Sequence, residues 1–174
     1  MTLIDEAREQ FTGLILLTGV DRPGISAALF ETLAPFAISV IDVEQLIISD
    51  RLILTVLIGL NPSHQKAIEA DLDQCALENE VDIATLFENR PLFPVKSSLI
   101  EIEVCATKLH PATLSHLSKA INEIGGNVES ITRTDSTKTC IVLTVSDSTQ
   151  SEIENAVSSL SFEDGASVSI RANS

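Results

Sequence analysis

The chain has no tryptophan and no tyrosine, and only 3% of its 174 residues are aromatic. Platforms for stacking bases or sugars are therefore scarce, and the core must come from the aliphatic side chains behind the 44% hydrophobic content. Basic residues are also few, 11 against 25 acidic ones, which gives a formal net charge of −14. Because nucleic acids and anionic membranes attract basic surfaces, we expect neither as a partner.

Long apolar runs are missing as well. No stretch approaches the ~18 residues of a membrane span, and the acidic and basic side chains among residues 1–10 do not resemble the apolar segment of a signal peptide. Cysteine is limited to Cys75, Cys105 and Cys140, without a C-x-x-C pair. Reduced thiols and a cytoplasmic location are the expectation from this usage.

The second half of the chain repeats the pattern of the first. Leu29 aligns with Leu117, 88 positions later, and each belongs to a helix with one apolar face. Strands precede and follow both helices, and the order in each copy is βαββαβ, the split βαβ of ferredoxin-like folds. We predict an α+β protein with two such domains, each an antiparallel four-stranded sheet with two helices on one face. The domains are predicted over residues 12–89 and 97–172.

A short connector separates the two copies. Residues 90–96 contain Pro91 and Pro94. Two prolines in so short a segment favour a fairly stiff linker.

One turn in the first copy carries the groups that a free amino acid needs. Residues 19–24 read Gly-Val-Asp-Arg-Pro-Gly and lead from a strand into a helix predicted to begin near Pro23. Free N–H groups at a helix start favour a carboxylate. Gly24 leaves room for a ligand, and Asp21 can cap the helix or accept a hydrogen bond from an ammonium group. The same residues also suit an ordinary strand-to-helix turn, and the motif alone leaves both interpretations open.

The repeat and its turn together resemble the ACT domain family, small βαββαβ modules that bind amino acids and regulate metabolic enzymes. The residues that carry the resemblance are 19–24 in the first copy and Gly-Gly-Asn-Val, residues 125–128, in the second. Residues 43–45 and 51–57 also resemble the N-terminal half of actinobacterial phosphoserine phosphatases. Those enzymes place two ACT domains ahead of a haloacid-dehalogenase-type catalytic domain.

The resemblance implies an amino-acid site at the first turn. In ACT modules the ligand often also contacts the start of the second strand, commonly an Asn, and here that place is taken by Ser39 in the first copy and Asn127 in the second. Each copy thus holds half of the pattern, and one pocket could combine the first turn with Asn127 of the same chain or of a partner. The candidate ligand-binding residues are Gly19, Val20, Asp21, Arg22, Pro23, Gly24, Ile25, Ser39 and Asn127.

The corresponding turn of the second copy is weaker. Thr107, Leu109 and Ala112 stand there in place of glycine, aspartate and glycine. Leu109 cannot accept from an ammonium group, and the Ala112 methyl group crowds a ligand bound to the backbone. We therefore expect the site in the first copy.

Residues for catalysis are not recognisable in the sequence. The phosphatase catalytic domain needs an Asp-x-Asp loop after a strand. Two strings of the sequence are similar to it. The first, residues 71–75, falls within a predicted helix, and in the second, residues 133–137, Arg133 takes the place of the nucleophile. His64, His110 and His116 lack ligand-like companions. We expect no enzyme activity, metal or cofactor for this chain. The resemblance implies magnesium only for a catalytic domain that the chain lacks.

Two functions follow from the resemblance. The first is the amino-acid-binding regulatory module of a phosphoserine phosphatase of L-serine biosynthesis, sensing L-serine or a related amino acid, with a C-terminal phosphatase domain as its partner. The alternative is a free-standing tandem ACT regulator of the glycine-cleavage-repressor type, acting through a protein partner, which the 174-residue length suits better. The identity of the amino acid, and whether it inhibits or activates, stay open.

Strand alternation predicts what covers the first sheet. The 88-residue alignment assigns an aliphatic set of side chains to the face away from the helices in the first copy, and a more polar set to that face in the second. Because monomers rarely expose a large aliphatic patch, we predict a homodimer, with the other copy or a missing domain as alternative covers. Cys105 and Cys140 become neighbours, either as apolar fillers or as a disulfide. The aliphatic set is Ile15, Leu17, Leu52, Leu54 and Val56; the other is Glu103, Cys105, Cys140, Val142 and Thr144.

Overall fold

The computed structural model describes residues 9–91, 98–134 and 137–172. The chain divides into two compact units, residues 1–93 and 94–174. The predicted linker, residues 90–96, begins within a strand that ends at Pro91, and its remainder lies outside the described residues.

The first unit is a four-stranded antiparallel sheet with spatial order β2-β3-β1-β4. A 3-10 turn precedes its second helix, and Asn61 caps that turn by accepting from the Ser63 N–H at 2.9 Å. The elements are β1 (Glu9–Val20), α1 (Ile25–Leu33), β2 (Ser39–Ile48), β3 (Arg51–Gly59), α2 (Gln65–Asn79) and β4 (Asp82–Pro91).

The second unit repeats this topology, with spatial order β6-β7-β5-β8. Thr149 and Glu152 form a capping box at the start of its second helix, which fixes where that helix begins. Two ferredoxin-like βαββαβ units are therefore present, and the predicted fold class is confirmed. The elements are β5 (Ile100–Ala106), α3 (Pro111–Glu123), β6 (Asn127–Arg133), β7 (Thr139–Ser146), α4 (Gln150–Ser158) and β8 (Ser167–Ala172).

The face assignment in the first sheet is wrong. The set predicted to point away from the helices is fully buried and packs against Leu29, Leu33 and Ile68 of α1 and α2. The side chains that form this core are Ile15, Leu17, Leu52, Leu54 and Val56.

The 88-residue alignment explains the error. It holds for the helices, since Leu29 and Leu117 are both buried, but it pairs the buried Ile15 with Glu103, which lies on the opposite face of its own sheet from the core residue Ile102. The strand-to-helix connections of the two units therefore differ by an odd number of positions. One extra or missing residue reverses every side chain of a strand.

The second sheet follows the prediction. Glu103 pairs with Val142 and Cys105 with Cys140, on the face opposite the core. The two cysteines are joined by a disulfide, with Cα atoms 4.1 Å apart, whereas Cys75 is a buried free thiol. The expectation of three reduced thiols is thus wrong for this pair, because the strand register brings the two sulfur atoms together.

Candidate functional site

The turn between β1 and α1 leaves the start of α1 open. Gly24 is the N-cap residue, with φ 95° and no side-chain cap, and its carbonyl accepts the first helical bond from the Ala28 N–H at 2.9 Å. The N–H groups of the first helical turn, which begins at Ile25, have no intrahelical partner. They carry the positive end of the helix dipole, so they suit an anionic group.

The turn itself is fastened to its own unit. The Asp21 N–H donates to the Asp50 carbonyl at 2.7 Å, which ties the turn to the β2–β3 hairpin. Arg22 donates to the Asn79 carbonyl and lies 3.4 Å from a Glu80 carboxylate oxygen, at the end of α2. Arg22 therefore holds the turn in place, while the Asp21 carboxylate stays exposed beside the helix start.

The two glycines of the turn have different roles. Gly19 is buried in β1, and a Cβ there would lie 2.7 Å from Val81 Cγ1, so its place is set by packing. A Cβ on Gly24 would meet nothing within 4 Å, but its φ of +95° is one that other residues rarely adopt. Of the two, Gly24 is the one that borders the exposed surface of the turn, together with Val20 and Pro23.

Two polar side chains beside the helix start were missed in the sequence. The Ser26 hydroxyl donates to Gln45 Oε1 at 2.6 Å, joining the first turn of α1 to β2. Gln45 lies opposite Leu54, on the helix side of the sheet. A signal was available, because Gln45 is a polar residue flanked by Val43 and Ile47 on the helix-facing positions of an alternating strand.

Ser39 does not join the turn within its own unit. It lies opposite Gly59, whereas Gly19 of the turn lies opposite Leu52 on the same strand. At ~3.3 Å per residue, the two ends of that strand segment are about 23 Å apart.

Asn127 begins β6 in the second unit, where its side-chain amide donates to Glu129 Oε1 at 2.7 Å. The structure thus gives Asn127 a partner within its own strand. A pocket that combines Asn127 with the first turn stays a hypothesis.

The equivalent turn of the second unit is capped by its own chain. His110 Nδ1 accepts from the Ala112 N–H at 3.1 Å, and Asp164 Oδ2 accepts from the His110 N–H at 3.0 Å and from the Thr113 hydroxyl at 2.7 Å. These hydrogen bonds, first that of the His110 backbone and then that of Thr113, lower the pKa of Asp164. A cavity of about 580 Å³ lies here, and Asp164 itself forms part of its wall.

Asp164→Asn is expected to destabilise the second unit at neutral pH. Because the folded-state pKa of Asp164 is lowered, its stabilisation is present above its ordinary pKa of 3.8 and is lost as the pH falls through the folded value. Urea unfolding of the variant should therefore differ from the wild type at pH 7 and converge with it as the pH falls well below 3.8. Glu163→Gln in the same loop is the matched control. A difference that persists unchanged in acid would refute the role of this charge.

No group of three or more His, Cys, Asp and Glu residues in the described part of the chain is placed to hold a metal ion. Asp71 and Asp73 lie within α2, as predicted, so they do not form a loop after a strand. Of the second string, residues 135 and 136 lie outside the described residues, and Arg133 ends β6. In the described segments, no helix is long and apolar enough to cross a membrane.

Residues 12–85 match the family model of the ACT domain. The first unit is an ACT domain. Curated relatives of the chain are the phosphoserine phosphatase of Streptomyces coelicolor, 30% identical over 127 residues, and phosphoserine phosphatase SerB2 of Mycobacterium tuberculosis, 30% identical over 122 residues. These matches cover 70% and 68% of this chain, but only 30% and 29% of the relatives.

Solved structures resemble this chain in fold over both units. A glycine cleavage system transcriptional repressor has a TM-score of 0.72 at 17% identity, and the match covers 95% of this chain and 99% of the other. A protein from Galdieria sulphuraria has a TM-score of 0.68 at 15% identity, with 96% and 100% coverage. At these identities the likeness concerns the fold, which is that of two ACT-type units.

Proposed function

We propose that this chain is a regulatory module that binds a small amino acid at the start of α1. One observation carries the proposal: the first helix of the ACT unit begins with no side-chain cap, whereas its counterpart α3 is capped by the His110 side chain, which accepts from the Ala112 N–H. Two otherwise similar turns thus differ in the free donors that an anionic ligand needs. The ACT fold of the first unit gives those donors a regulatory context.

The proposed ligand carries a carboxylate and an ammonium group. The carboxylate accepts from the N–H groups that open α1, and the ammonium donates to the exposed Asp21 carboxylate. Ser26 and Gln45 supply further polar contacts next to the same turn. The groups named here recognise the backbone of an amino acid, and a side-chain preference comes from surfaces beside them.

Within this proposal the chain serves as the sensor of a phosphoserine phosphatase and responds to L-serine or a related amino acid in the cytoplasm. The 30% identity to two phosphoserine phosphatases supports it. Because those relatives are more than three times as long as the matched segment, hydrolysis and its magnesium belong to a catalytic domain outside this chain. Bound amino acid alters activity only through its difference in affinity between two states of the assembly.

A second candidate is a free-standing regulator of the glycine-cleavage-repressor type. The nearly complete coverage of that repressor by this chain, 99%, favours it. A protein partner, rather than a catalytic domain, then receives the signal.

A thermal-shift screen with the twenty amino acids tests the shared proposal. A ligand at ~100 times its dissociation constant should add about 2.7 kcal/mol to the free energy of unfolding. Asp21→Ala should abolish the shift, since it removes the carboxylate that faces the ammonium, and Asp71→Ala on the surface of α2 should leave it intact. An empty screen, or equal binding by the Asp21→Ala variant in isothermal titration, contradicts the proposal. A shift led by L-serine favours the phosphatase context, and one led by glycine favours the repressor type.

A further inference from the structure

The first sheet has an aliphatic face on the side away from its helices, which we call the outer face. Strand pairing defines it: Leu14 lies between Leu57 and Leu86, and Leu46 lies opposite Ile53. In β1 and β3 these positions alternate with the buried core positions, and the strand pairing extends the same face to β2 and β4. The aliphatic side chains of the outer face are Leu14, Leu16, Val20, Leu46, Ile48, Ile53, Leu57 and Leu86.

Six of these eight side chains are exposed, and Ile53 and Leu57 of β3 are half-buried. Leu16, on a central strand, is 41% exposed, and Ile48 and Leu86 on the two edge strands are 62% and 52% exposed. The inner strands contribute only aliphatic residues and threonines to the middle of the face, while the charged residues stand at its edges. An apolar centre within a polar rim is the anatomy of a protein interface. The rim residues are Asp42, Glu44, Arg51, Asp82, Glu88 and Arg90.

The outer face of the second sheet is different. Glu103 lies there 3.5 Å from Arg171, next to Ser169, and Glu101 occupies the same face. The fold itself therefore does not require an aliphatic outer face. Carboxylates and a guanidinium also make a poor cover for leucines, because burying them against apolar side chains leaves charges without water.

The size of the outer face fits association with a second copy. Its strands have 9 to 12 residues, and at ~3.3 Å per residue and ~4.8 Å between strands the sheet measures roughly 600 Å². Stable interfaces bury about 800 Å² per partner. Side chains that extend beyond the outline of the sheet bring the outer face close to this area. A face of leucines and isoleucines is complementary to itself, as a two-fold interface requires.

We propose that the outer face of the first unit is the contact surface of a homodimer in which two such sheets pack face to face. Sheets packed in this way cross at about 30° with their side chains interdigitated. The proposal concerns the opposite side of the sheet from α1 and shares only Val20, at the end of β1, with the candidate ligand-binding residues.

The charge of the chain gives this dimer a diagnostic salt dependence. Each copy carries a net charge of −14, and the rim contains four carboxylates and two guanidiniums, of which Arg90 is paired with Glu88 at 2.8 Å. Association therefore works against repulsion, which salt screens. The dimer should tighten as sodium chloride is raised, whereas binding of a basic partner protein to the same acidic rim would weaken.

Sedimentation velocity of the full chain from 1 to 100 µM tests the proposal. We expect a dimer whose dissociation constant falls as salt is raised. In the Leu16→Glu variant the dissociation constant should rise at least 100-fold, because the substitution places two carboxylates at the centre of the interface. Leu77→Glu is the matched control, because Leu77 is 76% exposed on α2, on the other side of the sheet. Circular dichroism verifies that both variants fold.

Methyl NMR of the wild type keeps the test valid if Leu16→Glu unfolds. The signals of Leu14, Leu16 and Leu46 should shift with protein concentration, and that of Leu77 should not. A monomer at 100 µM overturns the proposal. So does a dimer that Leu16→Glu leaves unchanged, since its interface then lies elsewhere, for example along the β2 edge.

Discussion

Opening the Cys105–Cys140 disulfide is expected to lower the free energy of unfolding of the second unit by about 4 kcal/mol. The bond closes a loop with a sequence separation of 35 residues, and the chain-entropy model gives roughly this value for such a loop at 25 °C. The cysteines face each other across the two central strands of the sheet. Reduction thus removes a constraint on the unfolded chain without displacing a core residue.

Urea unfolding of the wild type with and without dithiothreitol measures this effect. The transition of the second unit should move to lower urea, and that of the first unit, which contains only the free thiol of Cys75, should stay in place. The double variant Cys105→Ala, Cys140→Ala is the control and should be insensitive to the reductant. A wild-type transition that does not respond to the reductant, although mass spectrometry shows the bond opened, contradicts the expectation.

The cysteine pair illustrates what composition can and cannot predict. An odd number of widely spaced cysteines indicated reduced thiols. That inference failed for one pair, because spacing in the sequence says nothing about proximity in a sheet. Alignment of the two halves placed Cys105 and Cys140 side by side. Register between strands, rather than cysteine count, is what brings the two sulfur atoms together.

The architecture was predictable because each copy repeats the same sequence of local signals. Alternating strands and the apolar spacing of Leu117 and Ile121 each determine an element on their own, and both halves give the same order. The side of the sheet to which each strand residue points was less predictable, because it does not follow from the position of the neighbouring helix. A connection that differs by one residue keeps Leu29 and Leu117 equivalent and reverses the strands beside them.

The candidate site was located by the sequence but not resolved into roles. The motif predicted a helix that begins near Pro23 and that Asp21 can cap, whereas α1 begins at Ile25 with Gly24 as its N-cap residue at φ 95° and no side-chain cap. Arg22 holds the turn through Asn79, and Gly19 packs against Val81 in the sheet. Neither role could be predicted, because both contacts are distant in sequence. Gln45 reaches the site from a strand for the same reason.

Truncating Leu17 to alanine is expected to cost about 2–5 kcal/mol of folding free energy, and truncating its neighbour Leu16 less than about 1 kcal/mol. Leu17 is fully buried between the sheet and its helices, so its loss leaves a cavity. Leu16 is 41% exposed on the outer face, and water can fill the space that it leaves. The two leucines are adjacent in β1 and differ only in the side of the sheet to which they point.

Chemical denaturation at several protein concentrations separates this effect from dimerisation. Leu17→Ala should lower the stability of the first unit equally at every concentration, because its cavity lies inside one copy. Leu16→Ala should have an effect that grows with concentration, because its partner atoms belong to the second copy in the proposed dimer. The reverse ranking, with Leu16 more costly at low concentration, would restore the face assignment drawn from the 88-residue alignment. The two variants thus test the interior of the fold and its outer surface with one side-chain truncation on each side of the same strand.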